Sequence, residues 1–460
     1  VAEDKRAQPG LKRELGIWSA ASIVVGTVIG SGIFLVPQDM IKEVGSPMIL
    51  FGVWIFGGLL SLFGALTYAE LASSMPEAGG EYVYLREAYG PMWGFLYGWT
   101  QLWVAKAGSV ATLATGFFLY LANFRPELNG VLYTLRLPIG PEGGPLEIRY
   151  GQLLAMAVIL VLAIVNYLGV KFGGEVQVVF TVAKVGLIAA IIAIGLGGGQ
   201  GSAANYTASI SVPGGVAGFF AALVGALWAY DGWNNVSMVS SEIRNPQRSL
   251  PLALIAGTAV VIVIYLLANL AYFYVLPPSE VAQSNRVAAD MMRKIFGSAG
   301  AGAVSIAAMV SMFAALNGSI LSGARVPYAM ARDGLFFRPV AHVHPEHRTP
   351  SVSILLLCAW SALLVLSGRF RDLYTYVIFA SWILYGMTAV SVLVLRRKRP
   401  EMVRPYKTTG YPWVPVLFVL GSLGVIFFTL QRSPRESLMG LVLIFLGLPF
   451  YFHWRRRFLC

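Results

Sequence analysis

Residues 28–34 read VIGSGIF and place Gly30, Ser31 and Gly32 inside an apolar run that otherwise predicts one long helix from Ile17 to about Ile41. Glycine in a helix interior costs about 1 kcal/mol relative to alanine, so something must compensate. A helix interrupted here exposes the amides that begin its second half, and those amides, at the positive end of the helix dipole, can hold a carboxylate. The freed carbonyls of the first half can accept from an ammonium. One break thus offers partners to both charged ends of an amino-acid zwitterion. Close packing of a neighbouring helix against small residues explains the same motif equally well.

A second break is predicted at LWAYDGWNN, Leu227–Asn235, where an Asp-Gly pair, a turn-forming dipeptide, interrupts apolar residues. A carboxylate in such a setting costs several kcal/mol unless solvated, paired or protonated, so Asp231 faces a cavity or caps the broken helix. Lys184, in FTVAKVGLIAA, lies far from either end of its apolar run, where it is a buried cation or a snorkelling one. Lys106, in QLWVAKAGSVATLA, either tunes a pocket or pairs with a carboxylate elsewhere. His342, His344 and His347 share one proline-containing loop without further ligands, so no metal site is expected. Glu70, Glu77, Glu81, Arg86, Glu242 and Arg244 form a gate of ion pairs or are ordinary interfacial charges.

The elements that position these residues are membrane helices. The chain has 460 residues, 57% hydrophobic and 12% charged, with mean hydropathy +0.68, which excludes an ordinary soluble domain. Apolar stretches long enough to cross a bilayer recur about twelve times, near 17–41, 48–72, 93–121, 151–168, 171–197, 216–241, 251–275, 298–328, 351–367, 373–395, 412–430 and 437–454. Basic clusters at Lys5, Arg6, Lys12 and Arg13, at Arg396 to Lys407, and at Arg455 to Arg457 put both termini in the cytoplasm, although Arg125, Arg136, Arg149 and others oppose that bias. The net charge of +12 is spread over the loops, so membrane topology explains it better than nucleic-acid binding. The polar first sixteen residues predict no cleaved signal peptide. The two cysteines, Cys358 and Cys460, suggest no disulfide framework.

The two breaks fall in spans one and six, and interrupted helices at matching places of two halves predict an inverted-repeat architecture. The expected fold is an all-α integral membrane protein of about twelve helices with broken helices 1 and 6. Its parts are a tail 1–16, five-helix repeats at 17–197 and 216–395, accessory helices at 412–454 and a tail 455–460.

Four motifs in order, GTVIGSGIF (Gly26–Phe34), YAELASSMPEAGGEYVYL (Tyr68–Leu85), WAYDGWNNVSMVSSEIRNPQRSLPLAL (Trp228–Leu254) and LNGSILSGARVPYAMARDG (Leu316–Gly334), resemble the amino acid–polyamine–organocation superfamily. Within it the chain is similar to the L-type amino acid transporters and their prokaryotic relatives. The resemblance implies a leucine-transporter-type fold of five plus five helices, with an L-amino acid held between the two breaks. It implies that backbone amides around Gly30, Ser31 and Gly32 bind the carboxylate, and that carbonyls of Val28, Trp228, Ala229 and Asp231 take the amino group. It further implies that Trp228 covers the substrate, that Asn234 ties the sixth helix to the site, and that Trp382 lies near the pocket wall. In this subgroup the ammonium of a helix-five lysine, here Lys184, replaces the sodium ion that sodium-coupled relatives bind between helices one and eight.

The chain departs from the animal L-type members in having Asp231 where they have glycine, which leaves substrate charge open. Residues 122–150 lack the cysteine through which those members bond a heavy chain, so no disulfide-linked partner is expected. The resemblance implies a sodium-independent exchanger of neutral L-amino acids in a prokaryotic plasma membrane. A proton-coupled symporter, with Lys184 or Asp231 gaining and losing the proton and with cationic substrates included, and a non-transporting amino-acid sensor are the alternatives. No Walker loop or nucleophile–base pair is evident, so ATP-driven pumping, enzymatic activity and a cofactor are not expected.

Overall fold

A computed structural model describes residues 11–136, 145–212, 214–366, 370–432 and 434–458. Residues 1–10, with Lys5 and Arg6, and Cys460 lie outside the described residues. The first apolar run forms two helices, α1 (Ile17–Val28) and α2 (Gly32–Val44). Gly45 ends α2 in the left-handed conformation that glycine adopts without penalty, and Pro47 starts α3 (Pro47–Ser74), where its missing N–H is not needed.

A short α4 (Glu81–Tyr89) leads into α5 (Pro91–Thr100), a π-helical turn at Gln101–Ala105, and α6 (Lys106–Leu121). Helices α7 (Tyr150–Tyr167), α8 (Val170–Gly197), α9 (Gly215–Tyr230) and the short α10 (Asn235–Met238) follow. Next come α11 (Pro246–Val275), α12 (Pro278–Gln283), α13 (Val287–Gly323), bent at Gly297, and α14 (Arg325–Arg332). The chain closes with α15 (Ser351–Val365), α16 (Phe370–Lys398), α17 (Trp413–Arg432), α18 (Pro434–Phe445) and α19 (Gly447–Phe458).

Among the described residues, ten helices are long and apolar enough to cross a membrane, counting α1 with α2, α5 with α6, α13 with α14 and α18 with α19 as one each; Gly215–Tyr230 and Ser351–Val365 are shorter apolar helices. The all-α expectation missed one feature. Val131–Leu135 (β1) and Leu146–Arg149 (β2) pair antiparallel in the connection between α6 and α7. The segment is rich in β-branched and aromatic residues and lacks a helical repeat, which suits a hairpin rather than a helix.

Helix α8 shows how apolar helices are sorted. Gly173, Gln177, Thr181, Lys184 and Ile188 recur every three or four residues and are buried, whereas Val179 and Val182 are exposed. One stripe therefore carries Gln177, Thr181 and Lys184 inward and leaves an apolar outer face for lipid, with the exposed charges Lys171 and Glu175 confined to the first turns. That stripe meets α1: Gln177 Nε2 and Thr181 Oγ1 both donate to the Ser22 carbonyl at 3.2 Å. Asn317 on α13 donates to Gln177 at 3.0 Å and accepts from Asn166 on α7 at 2.9 Å, so one buried network braces α1 from three neighbouring helices.

Candidate functional site

The α1–α2 break is a departure from helical geometry at Ile29, with φ −72° and ψ 85°, which turns its carbonyl out of the helix. Lys184 fills the space this opens. Its ammonium, fully buried, donates to the carbonyls of Gly26, Ile29 (2.7 Å) and Ser311 (3.3 Å). Ser311 Oγ adds a bond to the Ile29 carbonyl at 2.9 Å. A lysine on α8 thus joins the unwound end of α1 to α13 through three carbonyl dipoles, and no carboxylate pairs with it among the described residues.

The second break begins at Asp231, whose backbone is extended, and passes through Gly232 at φ 105°, a conformation open chiefly to glycine. Thr27 Oγ1 lies 2.9 Å from the Gly232 carbonyl and 2.6 Å from the Ile23 carbonyl of its own helix, and its one proton, shared between them, ties this break to α1. Tyr265 on α11 ties the breaks more directly: its hydroxyl lies 2.7 Å from the Val28 carbonyl and 3.0 Å from the Ala229 carbonyl. Nothing in the sequence distinguished this tyrosine from the other aromatics of apolar helices; its partners come from segments far apart in the chain.

Between the breaks lies a cavity of about 20 Å³ lined by Thr27, Val28, Gly30, Ser31, Gly32, Ser109, Leu113, Trp228 and Asp231. That is room for about one water. A molecule larger than water enters only when these segments part. Ser31 Oγ is buried there without a partner, and the first amides of α2 have no partners within their own helix. The wall therefore carries hydroxyl and amide donors on one side and the Asp231 carboxylate on the other.

The two readings of the glycine motif coexist. A Cβ on Gly32 would sit 2.4 Å from the Ala229 Cα, and one on Gly30 would sit 2.9 Å from Leu113. Packing thus demands small residues at the same positions that line the cavity.

Of the residues predicted for the site, Val28, Gly30, Ser31, Gly32, Trp228 and Asp231 meet at this cavity, with Ala229 packed directly behind Gly32. Asp231 accepts from the Tyr385 hydroxyl at 2.9 Å. Asn234 and Trp382 are buried but do not line the cavity: Asn234 Nδ2 donates to Glu81, and Trp382 packs on Phe418 and Tyr385 at ring distances of 5.4 and 6.2 Å. Lys106 is also away from the wall and donates to Asn235 Oδ1 at 2.5 Å.

At the end of the bundle carrying α4, Arg325 grips Glu242 through two hydrogen bonds of 2.7 and 2.9 Å, both side chains fully buried. Residue 15 pairs beside it, Leu15 N donating to the Glu242 carbonyl at 2.9 Å and Arg244 N to the Leu15 carbonyl at 2.8 Å. Arg86 bonds Asp333 at 2.6 Å and Glu77 at 3.1 Å, while Glu70 holds Arg396 through bonds of 2.9 and 2.7 Å. Of the charges singled out in the sequence, Glu70, Glu77, Arg86 and Glu242 are ion-paired at this end, the last with Arg325, while Glu81 and Arg244 form no ion pair among the described residues. The loop histidines stack, His344 on His347 at 4.5 Å, and no metal-ligand cluster occurs among the described residues.

Residues 15–448 match the amino acid permease family. The chain is similar to the serine/threonine exchanger SteT of Bacillus subtilis, 33% identical, with 97% of this chain and 98% of that protein covered. It is 34% identical to the b(0,+)-type amino acid transporter 1 of Mus musculus, covering 96% of this chain and 88% of that one. It is 29% identical to the Asc-type amino acid transporter 1 of Homo sapiens, covering 98% and 84%. With the match running through both helix breaks and nearly end to end, the chain belongs to the amino acid permease family of the amino acid–polyamine–organocation superfamily.

Proposed function

We propose that the protein is a sodium-independent exchanger of neutral L-amino acids that works by alternating access. The observation that carries this reading is Lys184, whose ammonium lies among the Gly26, Ile29 and Ser311 carbonyls between α1 and α13. A covalently fixed cation there supplies the electrostatics of a bound sodium ion, and no ion gradient can act on it. The substrate carboxylate binds the amides and hydroxyl of Gly30, Ser31 and Gly32, and its ammonium binds carbonyls of Val28, Trp228, Ala229 and Asp231. Trp228 closes over the bound molecule.

The single Tyr265 hydroxyl proton is shared between the Val28 and Ala229 carbonyls, leaving lone pairs on both for the ligand. In this reading twelve helices cross a prokaryotic plasma membrane as two five-helix inverted repeats, 17–197 and 216–395, with accessory helices at 412–454. Both termini, and with them the ion-paired end, face the cytoplasm. No disulfide-linked heavy chain is needed.

The test is uptake of labelled L-alanine, L-serine and L-leucine into sodium-free proteoliposomes, with and without unlabelled amino acid inside. Uptake confined to preloaded vesicles is expected. Equal uptake into empty vesicles, or a steep sodium requirement, would reject the reading. A second reading, carriage of cationic amino acids, is favoured by the Asp231 carboxylate in the cavity wall. Strong competition by L-lysine or L-ornithine against L-alanine uptake would select it.

A further inference from the structure

Glu81 opens α4 in the connection between α3 and α5, outside the spanning helices, yet its side chain is fully buried. Asn234 Nδ2, in the break between α9 and α10, donates to Glu81 Oε1. The other two oxygens of this pair, Glu81 Oε2 and Asn234 Oδ1, are both buried without a partner. Ionised, the carboxyl has only acceptors, so these two oxygens cannot bond to each other. A single proton on Oε2 satisfies both. The carboxylic acid and the primary amide are then complementary, the N–H bonding to Oε1 and the acid O–H supplying the donor that the orphaned amide oxygen lacks. Without that proton a buried charge sits beside an orphaned acceptor, a costly arrangement.

Burial favours the proton, while the hydrogen bonds of Asn234 and Tyr97 and the charge of Lys106 oppose it. Glu81 is faced by Tyr84 on its own helix, Tyr68 from α3, Tyr97 from α5, Tyr385 from α16 and Lys106 at the start of α6. Lys106 is committed to Asn235 and shared with Asp231, so one ammonium faces two carboxyls. Burial pushes the Glu81 carboxyl up from 4.5 to about 7.

We infer that Glu81 is a proton-binding site that latches α4 to the break between α9 and α10. The latched arrangement binds the proton more tightly than a parted one. Latching therefore strengthens as pH falls through about 7 and weakens as pH rises through it. Because α4 covers the ion-paired end of the bundle, release of the proton eases opening there, and exchange quickens with rising pH.

Two measurements test this. Infrared spectra of the full chain in liposomes, titrated from about pH 6 to about pH 8, should show a protonated-carboxyl carbonyl band that fades near neutrality and is missing in Glu81→Gln. This readout needs no transport and so stands independently of the exchange reading. A wild type without the band, or a Glu81→Gln variant that keeps it, would overturn the site. Asn234→Leu should move the midpoint of the band; an unmoved midpoint also counts against the pairing.

The second measurement rests on the exchange reading. Wild-type L-alanine exchange should rise about fivefold over the same window. Glu81→Gln reproduces the protonated bonding pattern and should stay at the acid rate throughout. If its exchange profile follows the wild type, the latch is wrong.

Discussion

The two helix breaks solve one problem by different means. At the first, between α1 and α2, the freed Ile29 carbonyl is met by a lysine and a serine from other helices, so the partners are one fixed cation and one hydroxyl. At the second, between α9 and α10, the chain's own side chains do the bonding: Asp231 reaches Tyr385, Asn234 reaches Glu81, and Asn235 accepts from Lys106. Backbone dipoles around a cation make a stiff, electrostatically defined joint, because removing the cation orphans several carbonyls together. Separate side-chain pairs make a joint that is undone one bond at a time. Both joints contain titratable groups, Lys184 at the first and Asp231 and Glu81 at the second, but only at the first does one group hold several carbonyls together.

The largest expected effect breaks the first joint. Lys184→Met leaves the Gly26 and Ile29 carbonyls without their ammonium, costing about 3 kcal/mol and lowering exchange about a hundredfold. Transport assays alongside thermal unfolding in detergent check this, and near-normal exchange would show the joint does not depend on the cation. Gly32→Ala comes next. Its Cβ would meet the Ala229 backbone, so about 2 kcal/mol is lost, read as a lower unfolding temperature and slower exchange.

Tyr265→Phe acts on both breaks at once by removing the hydroxyl shared by Val28 and Ala229. A loss of about 1 kcal/mol is expected. Measured in a cycle with Lys184→Met, it shows whether the two joints are energetically coupled. The smallest effect belongs to Trp382→Phe, a residue off the cavity wall. KM for L-alanine should stay within about twofold, since a substitution away from the ligand acts on packing alone. A large KM change would bring Trp382 back to the pocket.

Much of the site was legible because the membrane makes polar and small residues conspicuous. Gly30, Ser31, Gly32, Asp231 and Lys184 stand out in apolar runs, where each demands a reason. Tyr265 did not stand out, since tyrosine is ordinary in apolar helices and its role depends on two carbonyls contributed by other helices. The partner of Glu242 was equally hidden. Arg244 is near in sequence, but Arg325, at the head of α14, is the residue that reaches the carboxylate. Asn234 was expected to tie the sixth helix to the site; it lies off the cavity wall and bonds instead to Glu81, which the sequence marked only as one interfacial charge among several.

Hydropathy and the cost of unpaired groups in lipid were therefore enough, from residue order alone, to require membrane helices, to locate two breaks and to single out the buried cation. Those are local properties, set by each residue against a uniform solvent. Which carbonyls the cation meets, which acid holds which arginine, and how little space remains between the breaks were decided by the packing of helices distant in sequence. A hydrogen bond exists only within about 3 Å and in the right direction, and a residue list carries neither.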